Sequence, residues 1–278
     1  MSFYPQPYKY QCGPFALKYS LVMLGKFKNE REIGRIAGST WWYGTDEIGL
    51  AKAAKKFDCK MKYFRRETPD EAIKALTSHL KRGMPCILSV DSWEHWITVV
   101  NVQKGKFIVM DSVLDKVIVI YGARQLANRW KFYDEDSGDI SYDGYALQSN
   151  TKPTTKANFT LAKAKYVMRD SNKKLAEKWD TYFNDLISIC RPRNPNAKST
   201  ISFNEFLRRH EKLLVEQIAY WHGDPSYGEL DKLLKDMQFM AEVYNLVIHT
   251  EDQKKALVDL SSLLMMYACG KYGMDPLY

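Results

Sequence analysis

An α+β fold with its helices first and an antiparallel sheet after them, followed by an all-helical bundle, is what this sequence predicts, on three observations. Helical patterns with recognisable caps fill most of residues 12–81. From Pro85 the pattern changes to β-branched runs separated by short turns. Beyond residue 156 mainly helical patterns remain. Helices and strands segregated along a chain mark an α+β domain rather than a parallel α/β one.

The first helix runs from Cys12 to Leu24, with apolar Phe15, Ala16, Tyr19, Leu21, Val22 and Leu24, Pro14 in its first turn and Gly25 where it can end. A second spans Glu30–Ile36. The third, Asp46–Phe57, takes Thr45 as N-cap and sets Asp46 and Glu47 on the positive end of its dipole. Cys59–Arg65 alternates apolar and basic side chains as an edge strand does. Thr68-Pro69-Asp70-Glu71 is a capping box that opens a helix to about Lys81. Pro85–Val90, Trp96–Val102, Phe107–Met110 and Val117–Tyr121 then read as four mostly antiparallel strands. A short helix at Arg124–Trp130 and an acidic loop at Asp134–Asp139 follow, and Tyr145-Ala146-Leu147 closes the sheet.

The polar stretch Gln148–Lys156, which holds Pro153, reads as a linker. It divides the chain into domains 1–150 and 151–278. After an ambiguous segment at Leu161–Met168, the second domain shows helices at Asn172–Ile189, Phe203–Tyr220, Gly228–Ile248 and Asp252–Cys269. His222-Gly223-Asp224 reads as turn and cap residues between two of them.

Length and composition set the function classes. The chain's 278 residues, 45% apolar and 27% charged, suit two ordinary globular domains. Its longest apolar runs fall far short of the ~20 residues that span a bilayer. The N-terminal segment has no basic or apolar targeting pattern, so a cytoplasmic location and no membrane partner are expected. Five cysteines without a CxxC pair suit a reducing compartment. Five scattered histidines, without HExxH, predict no metal and no cofactor. Positive charge is spread evenly: residues 1–150 carry 22 basic against 17 acidic side chains, and the remainder 19 against 16. The cluster Lys52, Lys55, Lys56, Lys60, Lys62, Arg65, Arg66 reads as a solvated surface, so no nucleic acid partner is expected.

What remains is thiol chemistry. A thiol attacks only when ionised, and a helix N-terminus and a nearby imidazole both favour the thiolate. Cys12 stands at the mouth of the first helix, immediately before Gly13-Pro14. By itself it reads as a small buried hydrophobe. His95 at the start of one strand and Asp111 at the end of the next supply a base and its orienting carboxylate if the hairpin brings them together. A three-residue turn at Gln103-Lys104-Gly105 gives a pairing sum of about 208 and sets the two diagonally on one face. A two-residue turn reverses the faces. For the oxyanion donor the choice lies between Gln6 and Gln11, and Gln6 is preferred because Pro7–Tyr10 can fold it back beside the sulfur, whereas adjacent side chains diverge.

Gln6, then Cys12-Gly13-Pro14 heading a helix rich in leucine and alanine, Gly44-Thr45 opening another, and His95 with Asp111 sixteen residues on: this series resembles the bacteriocin-processing cysteine peptidase domain, over roughly residues 3–148. That family cleaves leader peptides after double glycine. The resemblance implies a papain-like fold, oxyanion-hole Gln6, nucleophile Cys12, general base His95 and orienting Asp111. Ser112 replaces the family's usual proline after the aspartate, and a helical domain stands where well-known members carry a membrane exporter. Phytochelatin synthase shares the glutamine-to-cysteine spacing, so transpeptidation is the alternative to hydrolysis. A peptide-binding module without catalysis is a third reading. Trp42, Gly44 and Trp93, together with Trp41, Tyr43 and Trp96, are the expected substrate-cleft residues; the partner is a peptide or protein substrate, with the helical domain as a further docking surface.

Overall fold

The computed structural model describes residues 2–151, 155–193, 199–221 and 227–272. A short 3-10 turn, Lys9–Gln11, runs straight into α1 (Cys12–Met23), all twelve residues of which are buried. α2 (Glu30–Ala37) starts at Asn29, whose side chain accepts from Arg31 N, and stops at Gly38, whose φ of 73° suits a residue without Cβ.

α3 (Glu47–Lys56) is capped by Asp46, not by Thr45 as expected. The Asp46 carboxylate accepts from Gly49 N at 2.7 Å, while the Thr45 hydroxyl pairs with Ser39 at 2.6 Å and its carbonyl accepts the Trp96 indole N–H at 2.9 Å. With its hydroxyl and carbonyl so engaged, Thr45 leaves the cap to the next residue. β1 (Cys59–Arg66) and α4 (Pro69–Lys81) follow; Thr68 caps α4, its hydroxyl accepting from Glu71 N, while the Glu71 carboxylate accepts from that hydroxyl rather than from the Thr68 N–H of the expected capping box.

The strands β2 (Cys86–Val90), β3 (His95–Gln103), β4 (Lys106–Met110) and β5 (Ile118–Gly122) lead into α5 (Ala123–Trp130), β6 (Phe132–Tyr133) and β7 (Ile140–Ser149). Their order in the sheet is β1-β7-β2-β3-β4-β5, with β6 pairing β7. β1 is the expected edge strand. β7 is far longer than the three residues read from sequence and lies inside the sheet, between β1 and β2. Side chains from α1, α2 and α3 fill one face through Leu17, Leu21, Ile33, Leu50 and Ala53. The other face packs on α4 and α5 through Leu76, Leu80, Leu126 and Trp130. These two cores form by burial of apolar surface.

The β3–β4 hairpin corrects the expected turn. Gln103 pairs with Lys106, so the turn has two residues, Lys104 and Gly105, both at positive φ. That register alone places His95 and Asp111 on opposite faces. A β-bulge at Val100, between the pairs Val99↔Val109 and Asn101↔Ile108, inserts one residue and restores the sum of 208.

The chain forms two compact units, Met1–Glu177 and Lys178–Tyr278, so the division falls later than residue 150. The segment after the polar stretch turns back onto the sheet domain: Ala157 N donates to Met23 O, Asn101 Nδ2 to Phe159 O, and Phe159 is buried. α6 (Leu161–Val167) and α7 (Lys173–Glu177) continue it, and Ser2 and Phe3 donate to Glu177 and Ala176.

The second unit is helical but not all-helical. α8 (Trp179–Ile189), β8 (Arg191–Pro192), β9 (Thr200–Ser202), α9 (Phe203–Trp221), α10 (Tyr227–Tyr244), β10 (Leu246–His249) and α11 (Gln253–Tyr272) make it up, the strands in the order β8-β10-β9. The helix expected to reach Ile248 ends at Tyr244 because Asn245 adopts φ 52°, after which Leu246-Val247-Ile248 pairs on both sides as a strand. The turn His222-Gly223-Asp224 lies outside the described residues. Among the described residues no helix is long and apolar enough to cross a membrane.

Candidate active site

The first turn of α1 carries Cys12, which is 6% exposed and packs with Ala16 and Trp96 in the α1 core. Gly13 follows because nothing larger fits: a Cβ there would come within 2.9 Å of Thr45 Cβ. His95 begins β3, paired with Val90 of β2. Its Nε2 bonds Asp111 Oδ1 at 2.7 Å, and the Cys12 side chain lies near enough to act on the charge of the ring. Burial opposes charge on the imidazole, yet the bond to Asp111 and the neighbouring Asp111 and Cys12 raise its pKa to about 9. His95 and Asp111 are thus joined by a direct bond, with Cys12 in their neighbourhood.

Asp111 is fully buried. Burial pushes its pKa up, but His95 and Arg129 more than offset that and hold the carboxyl below its usual range. Oδ1 also accepts from Val113 N at 3.2 Å, and Oδ2 accepts from Arg129 Nη1 at 2.5 Å. The site stands at the end of the sheet, with Cys12 in the α1 core and Arg129 on α5, which packs on the opposite face.

Arg129 was not singled out from sequence. Its guanidinium forks onto Asp91, Nε to Oδ1 at 2.9 Å and Nη2 to Oδ2 at 2.8 Å, while Nη1 also reaches the Tyr121 hydroxyl at 3.1 Å. The Asp91 N–H donates to the Arg129 carbonyl at 3.0 Å. Asp91, Ser92 and Trp93 have φ of 54°, 57° and 66°, three consecutive left-handed residues without a glycine. Each costs about 1–2 kcal/mol. The Arg129 fork and the stack of Trp93 on Phe132, 3.9 Å apart at 10°, help offset that cost immediately before His95.

Gln6 lies beside Asp111 in space. Its N–H donates to Ser112 O at 2.8 Å, and its Oε1 accepts from the Ser112 hydroxyl at 2.5 Å. Nε2 donates to the carbonyls of Tyr8 and Lys9, at 3.1 and 3.0 Å. The serine that replaces the expected proline thus grips the glutamine. Gln11, the alternative, has a buried Oε1 without a partner.

Trp41, Trp42 and Tyr43 are 64%, 71% and 94% exposed, and the two indoles stack at 3.6 Å. A Thr40↔Gly44 bridge closes their loop, and Gly44, at φ 67°, lies against the Tyr10 carbonyl. Trp93 is exposed, whereas Trp96 is buried and serves the core. The residues expected in a cleft therefore separate into an exposed set and one packing residue.

No family model and no curated protein matches the sequence. Among solved structures, the chain is similar to the peptidase domain of Streptococcus ComA, a bifunctional ABC transporter involved in quorum sensing (16% identity, 51% of this chain and 96% of that one, TM-score 0.40). It is similar also to a double-glycine motif protease from an AMS/PCAT transporter, solved with its leader peptide (18% identity, 52% and 91%, TM-score 0.39). A third is a C39-like peptidase from Bacillus anthracis (14% identity, 53% and 94%, TM-score 0.37).

Proposed function

We propose that the first unit is a cysteine peptidase in which Cys12, His95 and Asp111 cleave a peptide amide through a thioester. The observation that carries this reading is the buried His95–Asp111 hydrogen bond at 2.7 Å, with Cys12 at the mouth of α1 near enough to act on the charge of the ring.

The proton of the Cys12 thiol passes to His95, whose raised pKa favours holding it. The thiolate attacks the carbonyl carbon, forming a C–S bond and an oxyanion. The Cys12 backbone N–H and one Gln6 amide proton stabilise that oxygen, the latter released from Tyr8 or Lys9 when substrate arrives. His95 then protonates the amine as the C–N bond breaks. Water loses a proton to His95 and attacks the thioester, freeing the acid and the thiol. No step calls for a cofactor. Trp42, Gly44 and Trp93 line the substrate side, since an exposed aromatic loop anchored beside the first turn of α1 offers apolar and stacking contacts to a peptide. Every member of the constellation belongs to the first unit, which leaves the helical unit for partner or substrate selection. Buried, unpaired thiols at Cys59, Cys86 and Cys190 fit a cytoplasmic setting.

Labelling with iodoacetamide tests the reading: Cys12 is expected to react selectively at neutral pH, and His95→Ala to abolish that selectivity. Equal, slow labelling of all thiols would leave a peptide-binding module instead.

The pH profile is a second test. Protonated His95 is the acid for the leaving amine, so cleavage is expected to fall on the alkaline side with a midpoint near pH 9. The same raised pKa adds stability that is fully present below about pH 6.5 and is lost as pH rises through about 9. Urea midpoints at pH 6, 8 and 10 read that trend directly.

A further inference from the structure

We propose that Arg129 is a positioning residue that orients His95 from both ends, fixing the left-handed turn before it through Asp91 and the carboxylate behind it through Asp111. The inference rests on the peptidase reading and extends it to a residue on a different element. One guanidinium spans the two acids: its Nε–Nη2 edge takes Asp91, and Nη1 takes Asp111 at 2.5 Å. Such a fork fixes direction as well as distance, which a lysine ammonium cannot do.

The turn needs this support. Asp91, Ser92 and Trp93 all sit at positive φ, and Glu94 N closes the turn onto Asp91 O at 3.2 Å. His95 follows directly, so any relaxation of the turn toward ordinary φ swings the imidazole away from Cys12. Asp111 is approached on Oδ2 by the same guanidinium and on Oδ1 by His95. Both sides of the imidazole–carboxylate pair are thereby referred to one rigid group carried on α5.

The test exploits opposite signs. The groups that face the site are Cys12 and Tyr19 from α1, Asp111 beyond β4, Tyr121 from β5 and Asp91 in the turn. Removing the Asp91 charge acts through the field to make thiolate formation easier, which lowers the pH midpoint of Cys12 alkylation. Loss of His95 placement acts the other way and raises it. The rate of iodoacetamide alkylation at Cys12 is measured from pH 4 to 10 for the full chain and for Asp91→Ala, Arg129→Lys and the double variant, with thermal melts confirming folding.

We expect Asp91→Ala and Arg129→Lys each to raise the midpoint by about half a pH unit or more and to slow alkylation at pH 7 by about fivefold. The double variant is expected to be little worse than Arg129→Lys alone, because Asp91 acts on the turn through Arg129. A lowered or unmoved midpoint in folded Asp91→Ala overturns the proposal, as does a fully additive double variant. Should Arg129→Lys fail to fold, Asp91→Ala decides alone, since Asp91 is exposed. Failure of the peptidase reading shows separately, as His95-independent alkylation in the unaltered chain.

Discussion

Replacing Cys12 with alanine is expected to abolish cleavage, reducing turnover by about 10⁴-fold or more, while leaving the fold intact. The sulfur is the atom that forms the acyl bond, and alanine has nothing to put in its place. The substitution removes one buried heavy atom and leaves the His95–Asp111 bond in place, so the melting temperature should stay within a few degrees. The measurement is a comparison of new peptide termini after the native protein and Cys12→Ala are incubated with the same lysate. Termini made equally by both would end the case for this thiol as nucleophile, however well its neighbours are arranged.

The second large effect is expected at Asp111, and there activity and stability move together. Alanine removes the group that holds the His95 ring in orientation, at a cost of about 10⁴-fold in turnover. It also leaves Arg129 Nη1 without its buried carboxylate, and breaking a buried pair from one side destabilises by about 3 kcal/mol. That corresponds to a melting temperature lower by about 6–12 °C. Asp111→Asn separates the two consequences. Its amide fills the same space and keeps an acceptor for Arg129, so stability should be partly regained while turnover stays low for want of the charge. Calorimetry and cleavage rates on the same samples check this, and an Asn variant within tenfold of native turnover would remove Asp111 from the mechanism.

Local signals carried most of the first unit. Caps such as Thr68 with Glu71, the helix opening at Cys12, and the alternation in Cys59–Arg65 need only neighbouring residues to be read. Cys12, His95, Asp111 and Gln6 could be proposed from their residue types and their order along the chain. Long-range features were hidden. Arg129 looks like any surface arginine of an amphipathic helix until the sheet brings Asp91 and Asp111 to it. Ser112 looked like a departure and proves to clamp Gln6. Residues 155–177 follow a stretch with linker composition, yet Phe159 buries itself against the sheet domain, which no local pattern announces. Leu246–His249 extended a helical periodicity too far because four apolar-rich residues fit either period, and only the left-handed Asn245 separates them.

The hairpin between His95 and Asp111 makes length there a matter of parity. The two-residue tip and the extra residue at Val100 each turn the following side chains through half a revolution, and together they cancel. Losing Val100 alone would send the imidazole and the carboxylate to opposite sides, and adding one residue to the tip alone would do the same. Both changes made together would be silent. The tip at Lys104 and Gly105 projects into solvent, where insertions are ordinarily harmless, yet here the segment behaves as a spacer of fixed count whose changes must come in matched pairs.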